Sequence, residues 1–151
     1  MKYLKTYEQI NQVNSQDLIS AAVCNDLQEV KKLIRSGTNL DLQDNYGSTA
    51  LILASYNNYI EIVKELIKAG ANVDLQDVEG NTALIWTSYN NYIEIVKELI
   101  KAGADWNIKD NDNNNDFLDY LEPKDKKQII EEFPEEYKNY LMKKDAEKYN
   151  L

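Results

Sequence analysis

The side chains that most often carry catalysis at neutral pH are almost absent from this chain of 151 residues, which has no histidine and one cysteine, Cys24. Without histidine the chain lacks an imidazole general base and any Ser-His or Cys-His nucleophile pair. One thiol cannot form a disulfide within the chain or complete the ligand set of a structural zinc site. Because no basic residue neighbours Cys24 in sequence, we expect a buried or half-exposed structural thiol rather than a reactive one.

Oxygen-bearing side chains form the most metal-like pattern in the sequence. Four of them alternate as in the first half of an EF-hand calcium loop: Asp110, Asp112, Asn114 and Asp116. The pattern then fails, because the sixth position holds Asn115 instead of glycine and the twelfth holds Leu121 instead of glutamate. We therefore expect a turn here, with no bound metal.

Other catalytic patterns are equally weak. The adjacent carboxylates Glu131-Glu132 and Glu135-Glu136 lie in lysine-rich segments, which is typical of a solvated helix face and not of two acids facing each other across a cleft. The chain has no P-loop, no G-x-G-x-x-G and no G-x-S-x-G motif. We predict that the protein is not an enzyme and uses no cofactor.

The chain is organised instead by an internal repeat. The segment Ser55–Ala71, SYNNYIEIVKELIKAGA, recurs letter for letter 33 residues later as Ser88–Ala104. The same offset relates residues outside this run, such as Gly47 and Gly80, and a weaker copy precedes the identical pair. A period of this size indicates stacked supersecondary units, none of which can bury its apolar face alone.

Both copies resemble an ankyrin repeat. Each has the order D-x-x-G-x-T-A-L-I, S-Y-N-N-Y and I-E-I-V-K-E-L-I-K-A-G-A, similar to the family pattern D-x-x-G-x-T-P-L-H followed by E-I-V-x-L-L-L-x-x-G-A. The resemblance covers residues 11–110 closely and 111–133 loosely. The family's Gly-His pair is replaced by Asn58-Tyr59 and Asn91-Tyr92, and T-P-L-H by T-A-L-I. A polar network around the family's histidine therefore cannot form here.

The resemblance implies an all-α ankyrin-repeat solenoid, built from helix-turn-helix units with short β-hairpin-like finger loops. We assign residues 1–151 to one domain. Its predicted parts are an N-terminal helix (1–10), three repeats (11–43, 44–76 and 77–109), a degenerate C-terminal capping repeat (110–133) and a C-terminal helix (134–151).

Local signals predict where the helices begin and end. Thr49 and Thr82 should start the first helices of the second and third repeats. Asn58 and Asn91 should end them, because asparagine adopts the left-handed conformation more readily than other residues with a side chain.

In the ankyrin family, partners usually dock on the concave side, which consists of the finger turns and the exposed side of the first helices. Carried over position by position, the resemblance implies these partner-binding residues: Asn45, Tyr46, Ser48, Tyr56, Asn57, Val78, Glu79, Asn81, Tyr89, Asn90, Asn111, Asp112 and Asn114. Tyrosine offers a large contact area at low entropic cost, and asparagine forms adaptable hydrogen bonds. The duplicated Tyr-Asn-Asn-Tyr would suit an extended or repetitive partner segment.

The tyrosines also have a purely structural interpretation. Tyr59 and Tyr92 replace the family's histidine, and we interpret them as packing between repeats. Tyr56 and Tyr89 stay open between partner binding and a relic of duplication.

The two tryptophans occupy positions that hold aliphatic residues one repeat earlier. Trp86 replaces Leu53 on a first helix, so we expect core or near-core packing. Trp106 replaces Val73 beside a finger and could be an exposed anchor.

The charge balance limits the partner. The formal net charge is −9 and the isoelectric point about 4.5, which argues against nucleic acid because phosphate contacts need lysine and arginine. Lysines and acids balance from Lys124 onward, so the excess acid lies earlier and favours a neutral or basic protein or peptide. We expect a monomer.

No stretch approaches 18 apolar residues, so no membrane association is expected. The N-terminus as written lacks the apolar region of a signal peptide, and we expect a cytoplasmic protein, although a form exported with its leader removed would have the same sequence.

We predict a protein–protein interaction module: an adaptor, an inhibitor or an effector scaffold. The alternative is a structural spacer or capping module in a larger assembly with no dedicated binding face. An interaction module should show an apolar or aromatic patch on its concave side, whereas a spacer should show uniform charge.

Overall fold

The computed structural model describes residues 15–149, which form nine helices and no strand within that range. The N-terminal helix predicted over residues 1–10 lies outside the described residues. The helices are α1 (residues 15–23), α2 (Leu27–Arg35), α3 (Ala50–Tyr56), α4 (Ile60–Lys68), α5 (Ala83–Tyr89), α6 (Ile93–Lys101), α7 (Phe117–Tyr120), α8 (Pro123–Glu132) and α9 (Pro134–Tyr149). The predicted all-α fold is confirmed.

The helices are arranged in two layers. The first helices of successive units pack side by side, α3 against α5 and α5 against α7. The second helices do the same, α2 against α4 and α4 against α6. The two identical segments therefore lie next to each other in the same conformation, as the repeat predicted.

The second helices contribute a fully buried apolar face to the shared core. In α4 and α6 the side chains on the inner face are completely buried: Ile62, Val63, Leu66, Ile95, Val96 and Leu99. Burying one such aliphatic side chain contributes about 1.5–3 kcal/mol. Because α4 lies between α2 and α6, each unit buries this face against its neighbours.

The first helices begin at threonine caps. The Thr49 hydroxyl oxygen accepts a hydrogen bond of 3.2 Å from the backbone N–H of Ile52, and Thr82 does the same for Ile85. Each cap satisfies an N–H group that has no partner inside the helix. The first helices end at Tyr56 and Tyr89, and the predicted left-handed residues follow two positions later, where Asn58 and Asn91 have φ of +62° and +58°. Both signals were predicted from the sequence.

Each finger is a tight turn held by an aspartate. One carboxylate oxygen of Asp77 accepts the backbone N–H groups of Glu79 and Asn81, at 3.0 and 2.9 Å. Asp44 holds the preceding finger in the same way. Each finger turn is followed directly by a first helix. The finger residues and that helix therefore lie on the same side of the molecule.

Neighbouring fingers are joined by backbone hydrogen bonds. The N–H of Val78 donates to the Tyr46 carbonyl at 3.0 Å, and the N–H of Asn111 donates to the Glu79 carbonyl at 2.9 Å. The approach is close at Gly80, where an added Cβ would lie 2.8 Å from the backbone nitrogen of Asn111. The fingers therefore form one connected edge.

The last unit and α9 close the stack. Asp116 caps α7, and its other carboxylate oxygen accepts a hydrogen bond of 2.7 Å from the Tyr140 hydroxyl of α9. Trp106 is only 4% exposed and packs against Phe117, Tyr137 and Tyr140. The interpretation of Trp106 as an exposed anchor is therefore wrong.

The expectation for Cys24 is also wrong. This residue follows α1 in a turn and is exposed, instead of buried or half-exposed. The turn that ends α1 passes through Asn25, with φ of +57°, and directs the chain into α2.

Candidate partner-binding groove

Four aromatic rings form a continuous row along the layer of first helices. Trp86 of α5 contacts Tyr56 of α3 with ring centroids 5.1 Å apart and planes at 90°. Trp86 also contacts Tyr89 at 6.1 Å, and Tyr89 contacts Tyr120 of α7 at 5.7 Å. Edge-to-face pairs at these distances are a favoured aromatic packing. We call Tyr56, Trp86, Tyr89 and Tyr120 the aromatic ladder.

Two open clefts run along this ladder. The first, of about 280 Å³, is lined by Tyr46, Ser48, Ile52, Leu53, Tyr56, Asp77, Val78, Glu79 and Trp86. The second, of about 330 Å³, is lined by Tyr56, Glu79, Asn81, Ile85, Trp86, Tyr89, Asp110, Asp112, Asn113 and Tyr120. Because both clefts share Tyr56, Glu79 and Trp86, they form one continuous surface, which we call the ladder groove.

The ladder groove is acidic. Four carboxylates line it: Asp77, Glu79, Asp110 and Asp112. None of the described residues that line the two clefts is a lysine or an arginine. The negative potential of the groove is therefore not neutralised from within.

Asp77 fixes the central ring of the ladder. The indole N–H of Trp86 donates to one carboxylate oxygen of Asp77 at 2.7 Å, while the other oxygen holds the finger turn. A charged acceptor makes this a stronger hydrogen bond than a neutral one. One carboxylate thus ties the orientation of the indole to the conformation of the finger.

Asp110 fixes the last ring of the ladder. Its carboxylate accepts hydrogen bonds from the Tyr120 hydroxyl and from the backbone N–H of Asn113. Burial opposes ionisation of Asp110, but these hydrogen bonds outweigh it and lower the pKa of the carboxyl. Burial and the hydrogen bond to Asp110 raise the pKa of Tyr120, which stays a neutral donor.

Most of the residues predicted to bind a partner lie at the surface. Those that are exposed are Asn45, Tyr46, Tyr56, Asn57, Val78, Glu79, Tyr89, Asn111, Asp112 and Asn114. Six of the exposed residues also line the ladder groove: Tyr46, Tyr56, Val78, Glu79, Tyr89 and Asp112. The structure therefore brings the predicted tyrosines and acids together across three successive units.

Ser48 and Asn81 lie at the bottom of the groove. They are only 8% and 9% exposed, and their backbone N–H groups are bound by the finger aspartates Asp44 and Asp77. A side chain this deeply buried offers little area to a partner, so we leave both residues out of the proposed contact surface.

The remaining asparagines have structural partners. The side-chain amides of Asn57 and Asn90 donate to the carbonyls of Leu53 and Trp86, at 2.8 and 2.9 Å, where the first helices end. Asn90 is half-buried. Neither they nor Asn45, Asn111 and Asn114 line the two clefts.

Two rings of the ladder were not predicted as contact residues. Trp86 is half-buried and packs against the core, as expected, but it is also the central ring of the ladder. Trp86 lies three residues before Tyr89 on one helix. This spacing is the sequence signal that both rings lie on the same helix face. Tyr120 follows Tyr89 by 31 residues instead of 33, which removed it from the repeat register.

A third cleft, of about 500 Å³, lies between α9 and the turn after α6 and contains none of the predicted contact residues. Lys143 of α9 reaches across it to Asp105, with nitrogen-to-oxygen distances of 3.2 Å.

Tyr59 and Tyr92, predicted to pack between repeats, are half-buried against the core.

Within residues 15–149 we found no group of three or more histidine, cysteine, aspartate or glutamate side chains placed to hold a metal ion. Asp110 and Asp116, the ends of the calcium-like pattern, bind tyrosine hydroxyls.

None of the helices in the described part of the chain combines the length and the apolar character needed to cross a bilayer.

A family model for ankyrin repeats matches residues 18–110 in three copies. The chain belongs to the ankyrin-repeat family, as the resemblance indicated. Ankyrin repeats are generally protein–protein interaction modules, and the family is generally non-enzymatic. No curated protein matches the chain.

Proposed function

We propose that this protein is a non-enzymatic adaptor, inhibitor or scaffold that binds a partner protein through the ladder groove. The observation that carries the proposal is the exposure of large aromatic and aliphatic side chains that line the groove. Tyr46 is 73% exposed, and Val78 and Tyr89 are each 64% exposed. A contiguous set of large apolar side chains left in water is typical of an interaction site.

The groove is also held in one shape. Hydrogen bonds to Asp77 and Asp110 fix Trp86 and Tyr120, and the finger edge is tied together through backbone groups. A partner that binds a preformed aromatic surface loses less conformational entropy than one that must order it. This supports binding over a role in which the surface is incidental.

A spacer that only holds other parts of an assembly apart should expose uniform charge on this face, with no apolar or aromatic patch. The clustered tyrosines and the apolar Val78 do not fit that expectation. We therefore favour the interaction module over the structural spacer.

The test is a pull-down from the source cell with the full chain and with the double variant Tyr56→Ala/Tyr89→Ala. The matched control is Glu61→Ala/Glu94→Ala, which changes an exposed residue at one repeat position on α4 and α6, outside the groove. We expect the control to retain the partner and the tyrosine variant to lose it, with similar thermal melting of both. Equal retention by the two variants would contradict the proposal.

A further inference from the structure

The two clefts of the ladder groove differ in chemistry. Beside the rings, the first cleft offers the apolar side chains of Leu53 and Val78. The second cleft instead brings Asp110 and Asp112 to the ladder. Glu79 stands where the clefts meet. One end of the groove thus suits an apolar side chain and the other a cation.

We propose, building on the proposed function, that the occupant is an extended peptide segment of a partner protein. It places an apolar side chain in the first cleft and a lysine or arginine side chain in the second. The backbone of the segment crosses the ladder at Trp86, which both clefts share.

Charge complementarity supports the cation. The second cleft carries two exposed carboxylates, Glu79 and Asp112, and the buried carboxylate of Asp110, and no basic residue among its described lining competes for the exposed pair. Tyr89, beside these acids, is largely exposed, and a lysine or arginine over a tyrosine ring gains a cation–π interaction. The net charge of −9 attracts a basic segment from a distance.

The stacking of the units sets the spacing of the motif. The first cleft lies between α3 and α5 and the second between α5 and α7, so the two clefts are one unit apart, and successive first helices pack as neighbours. Packed helices lie about 8–10 Å apart, and an extended chain advances about 3.3 Å per residue. The apolar and the basic side chain should therefore be about three residues apart in the partner sequence.

The first part of the test is a selection of random dodecapeptides displayed on phage, carried out against the immobilised full chain. We expect enrichment of peptides that have an apolar residue and a lysine or arginine about three residues apart. Enriched peptides without a basic residue, or no enrichment at all, would overturn the inference.

The second part measures affinity by fluorescence anisotropy with a labelled synthetic peptide of the selected sequence. Replacing its basic residue by norleucine, or using Glu79→Gln/Asp112→Asn as the protein, should weaken binding about tenfold. The control Glu61→Gln/Glu94→Gln removes two exposed charges outside the groove and should bind as the unchanged protein does. Moving the basic residue to one or six positions from the apolar residue should also weaken binding.

The outcomes separate this inference from the proposed function. A peptide that needs Tyr56 and Tyr89 but is indifferent to Glu79, Asp112 and its own basic residue supports the groove and overturns the cationic motif. A peptide whose affinity is unchanged by Tyr56→Ala/Tyr89→Ala does not occupy the groove and overturns both. Affinity that does not depend on the spacing overturns the two-cleft arrangement.

Discussion

At the residue scale, the asparagines that end the first helices hold a conformation that other side chains rarely adopt. Asn58 and Asn91 have φ near +60°, at the position where the family places glycine. We expect Asn58→Ala to lower the free energy of unfolding by about 1 kcal/mol, because alanine is strained in the left-handed region. Asn58→Gly should be neutral or slightly stabilising. Urea unfolding followed by circular dichroism measures both, and an alanine variant as stable as the original would contradict the explanation.

Alanine substitutions at two glycines with positive φ distinguish the cost of backbone strain from the cost of a steric clash between fingers. Gly80 has φ of +83°, and a Cβ there would lie 2.8 Å from the backbone nitrogen of Asn111, whereas Gly103 has φ of +89° and open space around it. Gly103→Ala should cost about 1 kcal/mol from strain alone. Gly80→Ala should cost at least about 1 kcal/mol more, because it also disturbs the bond from Asn111 to Glu79. If urea unfolding shows that both variants lose the same free energy of unfolding, the contact between neighbouring fingers can open without destabilising the fold.

At the element scale, α9 is held to the last repeat by a polar group that titrates. Burial raises the pKa of Tyr140 to about 12, and its hydrogen bond to Asp116 acts in the same direction against the opposing effect of Lys144. The ordinary pKa of tyrosine is about 10. The folded state therefore holds this proton more tightly than the unfolded state. The resulting stability is complete below pH about 10 and is lost as the pH rises toward 12.

We expect the free energy of unfolding of the variant Tyr140→Phe to fall less steeply at high pH than that of the original protein. Between pH 9 and 11 the original protein should lose about 1–2 kcal/mol more than the variant. Tyr120 also has a raised pKa, but it contributes to both proteins equally. Urea unfolding at several pH values measures the difference. Parallel pH profiles for the two proteins would mean that Tyr140 does not carry this dependence.

The elements also show which features a sequence can predict. Thr49, Thr82, Asn58 and Asn91 were predictable because a cap depends on a few neighbouring residues. The burial of Trp106 was not, because it depends on α9 docking from a distant part of the chain.

The proposed contact surface shows the same division between predictable and unpredictable features. Position within the repeat was enough to predict Tyr56 and Tyr89 as surface residues. The role of Trp86 was hidden, because its contacts to Tyr56 and to Asp77 depend on how two units are packed and on the finger turn. Ser48 was predicted from the finger pattern, yet the turn around Asp44 buries it.

At the scale of the whole molecule, the stack converts a short repeat into an extended surface. Each unit contributes one finger and one first helix, and the backbone bonds between fingers keep successive units in register. The aromatic ladder crosses three units, so no single repeat contains the groove. Binding should therefore depend on the integrity of the stack as well as on the contacting side chains.

The central claim is that the partner binds at the ladder groove, and the two tryptophans allow a direct test. Trp86 is in the groove, whereas Trp106 is buried beneath α9. The full chain labelled with 5-fluorotryptophan should give two fluorine resonances, assigned with Trp106→Phe. On saturation with a selected peptide, we predict that the Trp86 resonance shifts or broadens and the Trp106 resonance stays in place. A response of Trp106 alone, or of neither resonance at saturation, would contradict the claim.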